Sequence, residues 1–432
     1  MINQALLNTL DGRFSRSHHH ETRHSRFRVI SGTSGAARRR FRNRLSGSLA
    51  ALLIASALAG PGSAFSAALK PQPSGIYDLL FGAPGTGRID LTFNPLLDNP
   101  NIDGYRYKTG WAKIQPDNAA EFNWDSIDSA IAIAAAHGKK LCISIAGGFS
   151  TPGWVYTTPP LVYKYVMLET DPDTGLSVGS QPLPWDTAFQ DKWLTFLAAF
   201  AARYETNPAC SYVVMGGFME NFNTVVAATD DDFNAMENLA KNPPSGYPGL
   251  VTSYTDFTAA FTPAYQRVIT AYANSFPTTS LLITLYRVVP GDLGVTLQNA
   301  IGDWGKAAFP AHVGTMVSAL YATVPPHAPP PAPYSFPKGF QMVCKAVDDP
   351  ARLYLDPDPV PMPPAPTPLE DALEHAVSLG GKYVEVYEDD LTPAISQPVL
   401  AIERAKLLAN VGDGNGAPPG PPAPPTNLHI LP

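Results

Sequence analysis

Cysteine is scarce in this sequence, which contains three in 432 residues: Cys142, Cys210 and Cys344. Cys142 and Cys344 lie inside apolar runs, where a buried thiol is more common than a disulfide. No Cys-x-x-Cys pair and no His-rich ligand spacing occurs in the body of the chain. The sequence therefore predicts neither a disulfide framework nor a structural zinc site.

Charge is also limited. Only 16% of the residues are charged and 45% are hydrophobic, a composition typical of a globular protein rather than a disordered one. Lysine is absent from residues 1–44, which hold ten arginines and two acids, so the remainder has 20 basic and 35 acidic residues. An acidic body disfavours nucleic acid as a partner.

Long hydrophobic runs are confined to one place. The basic stretch 38–44 leads into the apolar run 45–60, and small residues follow at 62–64 and 66–68. This order of a basic stretch, an apolar run and small residues predicts a secretory signal over residues 1–68. The apolar run is short for a membrane span. The alternative is a basic arm that binds nucleic acid. We therefore expect a mature protein without a membrane span, secreted, periplasmic or at the cell surface.

A Gly-rich nucleotide-binding loop is missing too, although strand-like and helix-like stretches alternate along the chain. Strands are predicted at 87–93, 105–111, 140–146, from 211, and at 280–286, 314–321, 339–346 and 382–388. Eight such units predict an α/β fold, a (β/α)8 TIM barrel over residues 69–412. An open doubly wound sheet is the second choice, and it would normally carry the missing loop. Residues 413–432 have the Pro/Gly-rich composition of a linker or tail.

One carboxylate closes the predicted fourth strand. The stretch from Ser211 is apolar and rich in β-formers, continues through Gly216 and Gly217, and reaches Glu220. A parallel barrel strand delivers its last residues to the mouth of the barrel, where catalytic groups of such enzymes lie. Glu220 is therefore a candidate catalytic acid, and the alternative is an ordinary loop glutamate.

No glutamate occurs in the predicted seventh strand, and Asp348 and Asp349 follow it only in a loop. The eighth strand does carry acids. Alternation places Glu385 on the face opposite two valines, toward the barrel lumen, and Glu388 at the rim. A carboxylate buried in the lumen needs a partner or a chemical task, so Glu385 is either the second catalytic carboxylate or a structural partner of Arg106 or Lys108.

Aromatic side chains recur near predicted strand ends. Each one alone is more often part of the packing, but several near one rim favour a surface that stacks on sugar rings. With Asn221 and Glu388 beside them, they make up the predicted substrate-binding set: Trp111, Trp154, Tyr286, Tyr321 and Tyr387.

The order and spacing of several motifs resemble retaining glycoside hydrolases of the large barrel clan that includes cellulase-like and family-42 β-galactosidase-like enzymes. The similar stretches are Arg106 within 105–116, residues 122–128, residues 151–155, and residues 203–208 leading to the strand with Glu220. The resemblance covers about residues 87–225, and the second half of the chain only by topology. It implies that Glu220 is the acid/base and that Arg106 supports the nucleophile.

The chain departs from the clan in two places. Met219 stands before Glu220, where the clan has asparagine, and the seventh strand lacks the glutamate that serves the clan as nucleophile. With Glu385 as partner, the two carboxylates would come from opposite sides of the barrel. That suits the roughly 6.5–9.5 Å separation of an inverting pair.

We therefore predict a secreted glycoside hydrolase that uses two carboxylates, Glu220 and Glu385, on a carbohydrate substrate without a cofactor or metal. The competing class is a non-catalytic barrel that binds carbohydrate or serves as a surface module, and the missing seventh-strand glutamate favours it. A barrel hydrolase that cleaves another bond is a third option. The sequence leaves the sugar, the linkage and the oligomeric state open.

Overall fold

The computed structural model describes residues 68–79, 91, 94–170, 174–217, 225–285, 287–317, 341–343, 368–378, 381–394 and 396–409. Nearly all of the predicted signal segment and the whole Pro/Gly-rich tail lie outside these residues. Among the described residues, no helix is both long and apolar enough to cross a membrane.

The fold is built on one sheet of eight parallel strands, with the last strand paired to the first. Along the sheet the order is β8-β1-β2-β3-β4-β5-β6-β7. The strands are β1 Gly75–Leu79, β2 Gly104–Gly110, β3 Lys140–Ala146, β4 Cys210–Val214, β5 Ser280–Leu285, β6 Val313–Val317, β7 Gln341–Val343 and β8 Tyr383–Tyr387.

Three tyrosines show that this sheet curls on itself. The ring of Tyr77 on β1 lies 5.3 Å from that of Tyr212 on β4 and 5.3 Å from that of Tyr383 on β8, and the last two are 4.8 Å apart. Two strands separate β1 from β4 in the sheet, so these rings meet only if the sheet encloses an interior. The α/β fold with a curled parallel sheet is consistent with a (β/α)8 barrel.

Helices cover the outer face of the sheet, where the larger hydrophobic core lies. Helix α4 shows why they form there: Asp186 caps its first turn by accepting from the amides of Ala188 (3.0 Å) and Phe189 (3.3 Å), and its apolar residues recur at helical spacing. The helices are α1 Trp111–Ile114, α2 Asp125–Ala136, α3 Gly153–Thr157, α4 Thr187–Tyr204, α5 Asp230–Lys241, α6 Phe257–Ser275, α7 Gly291–Ala308, α8 Pro368–Ser378, α9 Glu388–Leu391 and α10 Ser396–Ala409.

The first strand of the sheet comes earlier in the chain than predicted. Strand β1 is Gly75–Leu79, between β8 and β2, whereas the predicted strand 87–93 lies outside the described residues except for Leu91, which is in a helical turn. The five-residue strand follows two prolines and carries the polar Asp78, so its sequence looks like a loop. The other seven predicted strands overlap observed ones. Between β3 and α4, where no strand is predicted, the structure has α3 and a two-stranded hairpin, Lys164–Val166 with Ser180–Pro182.

Candidate active site

An ion pair between Arg106 and Glu385 crosses the interior of the curled sheet. Arg106 on β2 donates from Nη1 to Oε2 of Glu385 on β8 at 2.7 Å. The two residues are 2% and 0% exposed. Glu385 points into the lumen, as strand alternation predicts, while Val384 and Val386 belong to the outer core. The structure thus brings two predicted site residues into direct contact.

Two tyrosines complete the set of donors around Glu385. Its Oε1 accepts from the hydroxyl of Tyr212 at 2.9 Å and from that of Tyr383 at 3.0 Å. Burial raises the pKa of Tyr212 well above its usual value, so this hydroxyl keeps the proton that it donates. Three donors on a fully buried carboxylate offset much of the cost of removing it from water.

Further side chains of β2 and β3 surround the ion pair. Arg106 also donates from Nη2 to Ser144 Oγ at 3.4 Å, and Cys142, its neighbour in register on β3, is a buried free thiol whose pKa is raised by burial. Lys108 lies two residues further along β2 on the same face and is half-buried. On β3 the lumen-facing Ser144 and Ala146 stay buried.

The chain leaves β4 from a tightly held point. The amide of Gly216 donates to the Tyr272 hydroxyl at 2.9 Å, and the carbonyl of Gly217 accepts from the amide of Gly148 at 2.8 Å. A Cβ on Gly147 would lie 1.5 Å from that carbonyl oxygen, so the approach of the β3 and β4 ends depends on glycine. Glu220 and Asn221 come three and four residues after Gly217 and lie outside the described residues.

The two predicted sugar-stacking tryptophans are packing residues. Trp111 is 0% exposed, with its ring 5.7 Å from that of Trp154 and 5.2 Å from that of Trp193. Its indole N–H donates to Gln115 Oε1 at 2.7 Å, and that of Trp154 donates to the Gln115 carbonyl at 2.9 Å. Trp154 is 9% exposed. Neither ring offers a free face to a sugar, because both are used between α1, α3 and α4.

The remaining predicted residues are only partly described. Tyr286 and Tyr321 lie outside the described residues, as does the side chain of Tyr387, whose backbone ends β8. Glu388 begins α9 directly after β8 and is half-buried. Within the described part of the chain, no group of three or more His, Cys, Asp and Glu side chains is arranged to hold a metal ion.

Sequence reasoning missed Tyr212 and Ser144 as partners of the ion pair. Tyr383 was within reach, because alternation puts it on the same face as Glu385. Tyr212 lies on β4, far from β8 in the sequence, and only closure of the sheet brings it to the same carboxylate.

Solved structures of glycoside hydrolases are similar to this one at low identity. An endo-β-1,4-xylanase of glycoside hydrolase family 10 from Gloeophyllum trabeum is similar over 78% of this chain and 96% of its own, with 12% identity and a TM-score of 0.41. A β-galactosidase from the psychrophilic Marinomonas ef1 is similar over 77% and 59%, with 10% identity and a TM-score of 0.42. A psychrophilic family 10 endo-β-1,4-xylanase is similar over 74% and 85%, with 12% identity and a TM-score of 0.37.

No protein-family model and no curated protein matches the chain. These structural similarities have TM-scores of 0.37 to 0.42. The function of this protein therefore rests on its own residues.

Proposed function

We propose that the protein is a glycoside hydrolase whose active site lies at the C-terminal end of the curled sheet, with Glu220 as general acid/base. The observation that supports this most is the fixed exit of β4 at Gly216 and Gly217. Glu220 follows Gly217 by three residues in the sequence, and barrel enzymes carry their catalytic groups directly after the strand C-termini.

In this proposal the buried pair of Arg106 and Glu385 positions the site from below. Glu385 has no exposed surface and already accepts from three donors. Direct attack on a sugar or on water would require this network to open, whereas a positioning role needs no movement. The pair fixes the guanidinium beneath the mouth of the barrel, in line with the supporting role that the clan resemblance implies for Arg106.

In this proposal the second catalytic carboxylate comes from a residue that follows a strand near the rim of the sheet. Glu388 is half-buried and directly follows β8, and Asp348 and Asp349 follow β7 in the sequence. The anomer formed first, read by NMR, reports the geometry of the pair. Inversion is expected for carboxyl groups about 6.5–9.5 Å apart, and retention for groups about 5–5.5 Å apart.

The test is hydrolysis of a panel of polysaccharides and aryl glycosides by the parent protein and by Glu220→Gln. Loss of the general acid/base is expected to lower kcat at least about 100-fold without changing the thermal unfolding midpoint. Glu121→Gln removes an exposed glutamate and is the matched control, expected to keep full activity. Full activity in Glu220→Gln would refute the assignment.

Glu385→Gln separates the positioning role from the catalytic one. Removing one partner of a buried ion pair leaves Arg106 uncompensated and is expected to cost about 3–5 kcal/mol of unfolding free energy. The variant Glu237→Gln breaks the partly exposed pair with Lys241 and should cost no more than about 1 kcal/mol. A Glu385→Gln protein with unchanged stability and no turnover would return Glu385 to the catalytic pair.

A non-catalytic carbohydrate-binding barrel is the second candidate. It is favoured by the saturation of Glu385 and by β7, whose described residues Gln341–Val343 contain no acid. Binding of the same polysaccharides without turnover, unchanged in Glu220→Gln, would select it.

A further inference from the structure

A cleft of about 440 Å³ opens on the outer layer of the protein, between the first turns of α4 and the N-terminal half of α6. Its volume falls in the range of small-ligand sites. Helices that follow parallel strands begin at the strand C-termini, so the cleft lies toward the same end of the sheet as the exit of β4. Its lining includes Trp185, Gln190, Asp191, Tyr254, Pro263 and Arg267.

Arg267 is held in place at the wall of this cleft. Its Nη1 donates to Gln190 Oε1 at 2.7 Å, and its Nη2 donates to Asp191 Oδ1 at 2.5 Å. The Arg267 side chain is still 41% exposed and that of Asp191 63%. The pair therefore retains N–H donors and a carboxylate oxygen for a ligand, while its charges cancel. A neutral ligand suits this wall better than an ionic one.

The rest of the wall is less polar. Pro263 and Ala264 of α6 line it together with Trp185, which is 2% exposed. The half-buried Tyr254 adds an aromatic ring to the same wall. The cleft therefore combines one fixed polar pair with apolar and aromatic surface, as small-ligand sites do.

We propose that this cleft is a saccharide-binding site, separate from the site at the barrel mouth. A sugar is a neutral ligand whose hydroxyl groups both donate and accept. Its apolar ring face suits the half-buried Tyr254, and its hydroxyls suit Arg267 and Asp191. The proposal rests on the proposed function only in that the bound saccharide would be a stretch of the same polymeric substrate, held where the chain leaves the mouth.

The test measures binding of xylohexaose, cellohexaose and mannohexaose to the full-length Glu220→Gln protein by titration calorimetry. At least one hexasaccharide is expected to bind. Arg267→Met is expected to weaken that binding about tenfold or more, because a hydrogen bond to a charged group is lost. Tyr254→Ala is expected to weaken it as well, because the aromatic surface under the sugar ring is lost. The matched control is Arg203→Met, which should bind like the parent. Arg203 is an exposed arginine on another face of α4, and it pairs with Asp128 of α2.

Two results would overturn the proposal: no hexasaccharide binds, or binding is the same in Arg267→Met, Tyr254→Ala and Arg203→Met. Thermal unfolding of each variant shows whether it is folded, and Asp191→Asn, at a largely exposed position, provides a third variant if either of the others is not. If Glu220→Gln fails to alter hydrolysis, the proposed catalytic role fails, but binding that depends on Arg267 still establishes the cleft as a saccharide site.

Discussion

At the scale of single residues, Asp78 is a buried acid on the outer face of the sheet. It lies on β1 with no exposed surface, and its Oδ2 accepts from Asn94 Nδ2 at 2.9 Å. Its Oδ1 has no donor among the described residues. Burial, with a smaller contribution from Glu388, raises the pKa of Asp78 to about 8. The folded protein therefore holds this carboxyl protonated at neutral pH.

The raised pKa of Asp78 predicts how stability depends on pH. Its folded pKa is above the unfolded value of about 3.9, so its favourable contribution is complete below about pH 4 and is lost as the pH rises toward about 8. Asp78→Asn keeps the bond from Asn94 and cannot ionise. We expect the variant to gain stability relative to the parent as the pH rises from 5 to about 9, measured by urea unfolding.

The control for this prediction is Asp117→Asn, which removes the same charge from an exposed position. It should follow the parent at every pH. Parallel profiles for Asp78→Asn and the parent would show that Asp78 titrates near its ordinary value.

Some side-chain orientations in the candidate site can be predicted from the sequence, and others cannot. Glu385 was predictable, because alternation along one strand decides which face a side chain takes. Trp111 was not: it follows β2 immediately, and its burial depends on α3 and α4 packing over it. Local patterns therefore predict strand faces, while burial beyond a strand end is a tertiary property.

At the scale of elements, a hairpin after α3 is tied to α5 by one buried carboxylate. Asp232, with 0% exposure, accepts from the Tyr165 hydroxyl at 2.8 Å and from the amides of Leu168 (2.7 Å) and Glu169 (3.0 Å). It also accepts from the hydroxyl of Thr229, the N-cap of α5. The hairpin and the start of α5 are therefore held together by this one carboxylate.

Asp232→Asn is expected to loosen the hairpin. An asparagine offers one acceptor oxygen and turns an NH2 group toward donors, so buried amides lose their partner at about 1–3 kcal/mol or more. Hydrogen exchange read by mass spectrometry should accelerate across residues 164–182. Asp231→Asn changes the adjacent exposed residue in the same helical turn; equal exchange in the two variants would contradict the anchoring role.

Helices that bury many apolar residues are recognisable in the sequence, and a largely polar helix is not. Helix α6 spans Phe257–Ser275, and its buried apolar positions recur at helical spacing. Helix α5 was missed: it buries only Asp232, Met236 and Ala240 and begins with three aspartates, which look like a loop. The hairpin was missed for the same reason, because Asp232, distant in sequence, holds it in place.

At the scale of the whole molecule, alternation of strands and helices predicted the parallel sheet, but its curvature rests on side chains that meet across the lumen. The end of the sheet opposite the mouth shows a comparable long-range contact. The backbone amide of Lys70 donates to the Thr278 carbonyl at 2.8 Å, and its amine donates to the carbonyls of Asn207 (3.0 Å) and Cys210 (3.3 Å). The first described residues thus brace the starts of β4 and β5.

The predicted signal segment, residues 1–68, ends before Lys70 in the sequence. Cleavage after Ala64 or Ala68, the two small-residue sites, leaves Lys70 in the mature protein. We propose that the protein is secreted in this form, and we expect the intact mass of the exported product to correspond to one of these two N-termini. A mature N-terminus upstream of Leu45 would contradict the signal assignment.

Lys70→Met should lower the unfolding free energy by about 1–3 kcal/mol, because two carbonyls lose their donor. The control Lys241→Met, at a partly exposed helix position, should change it by no more than about 1 kcal/mol.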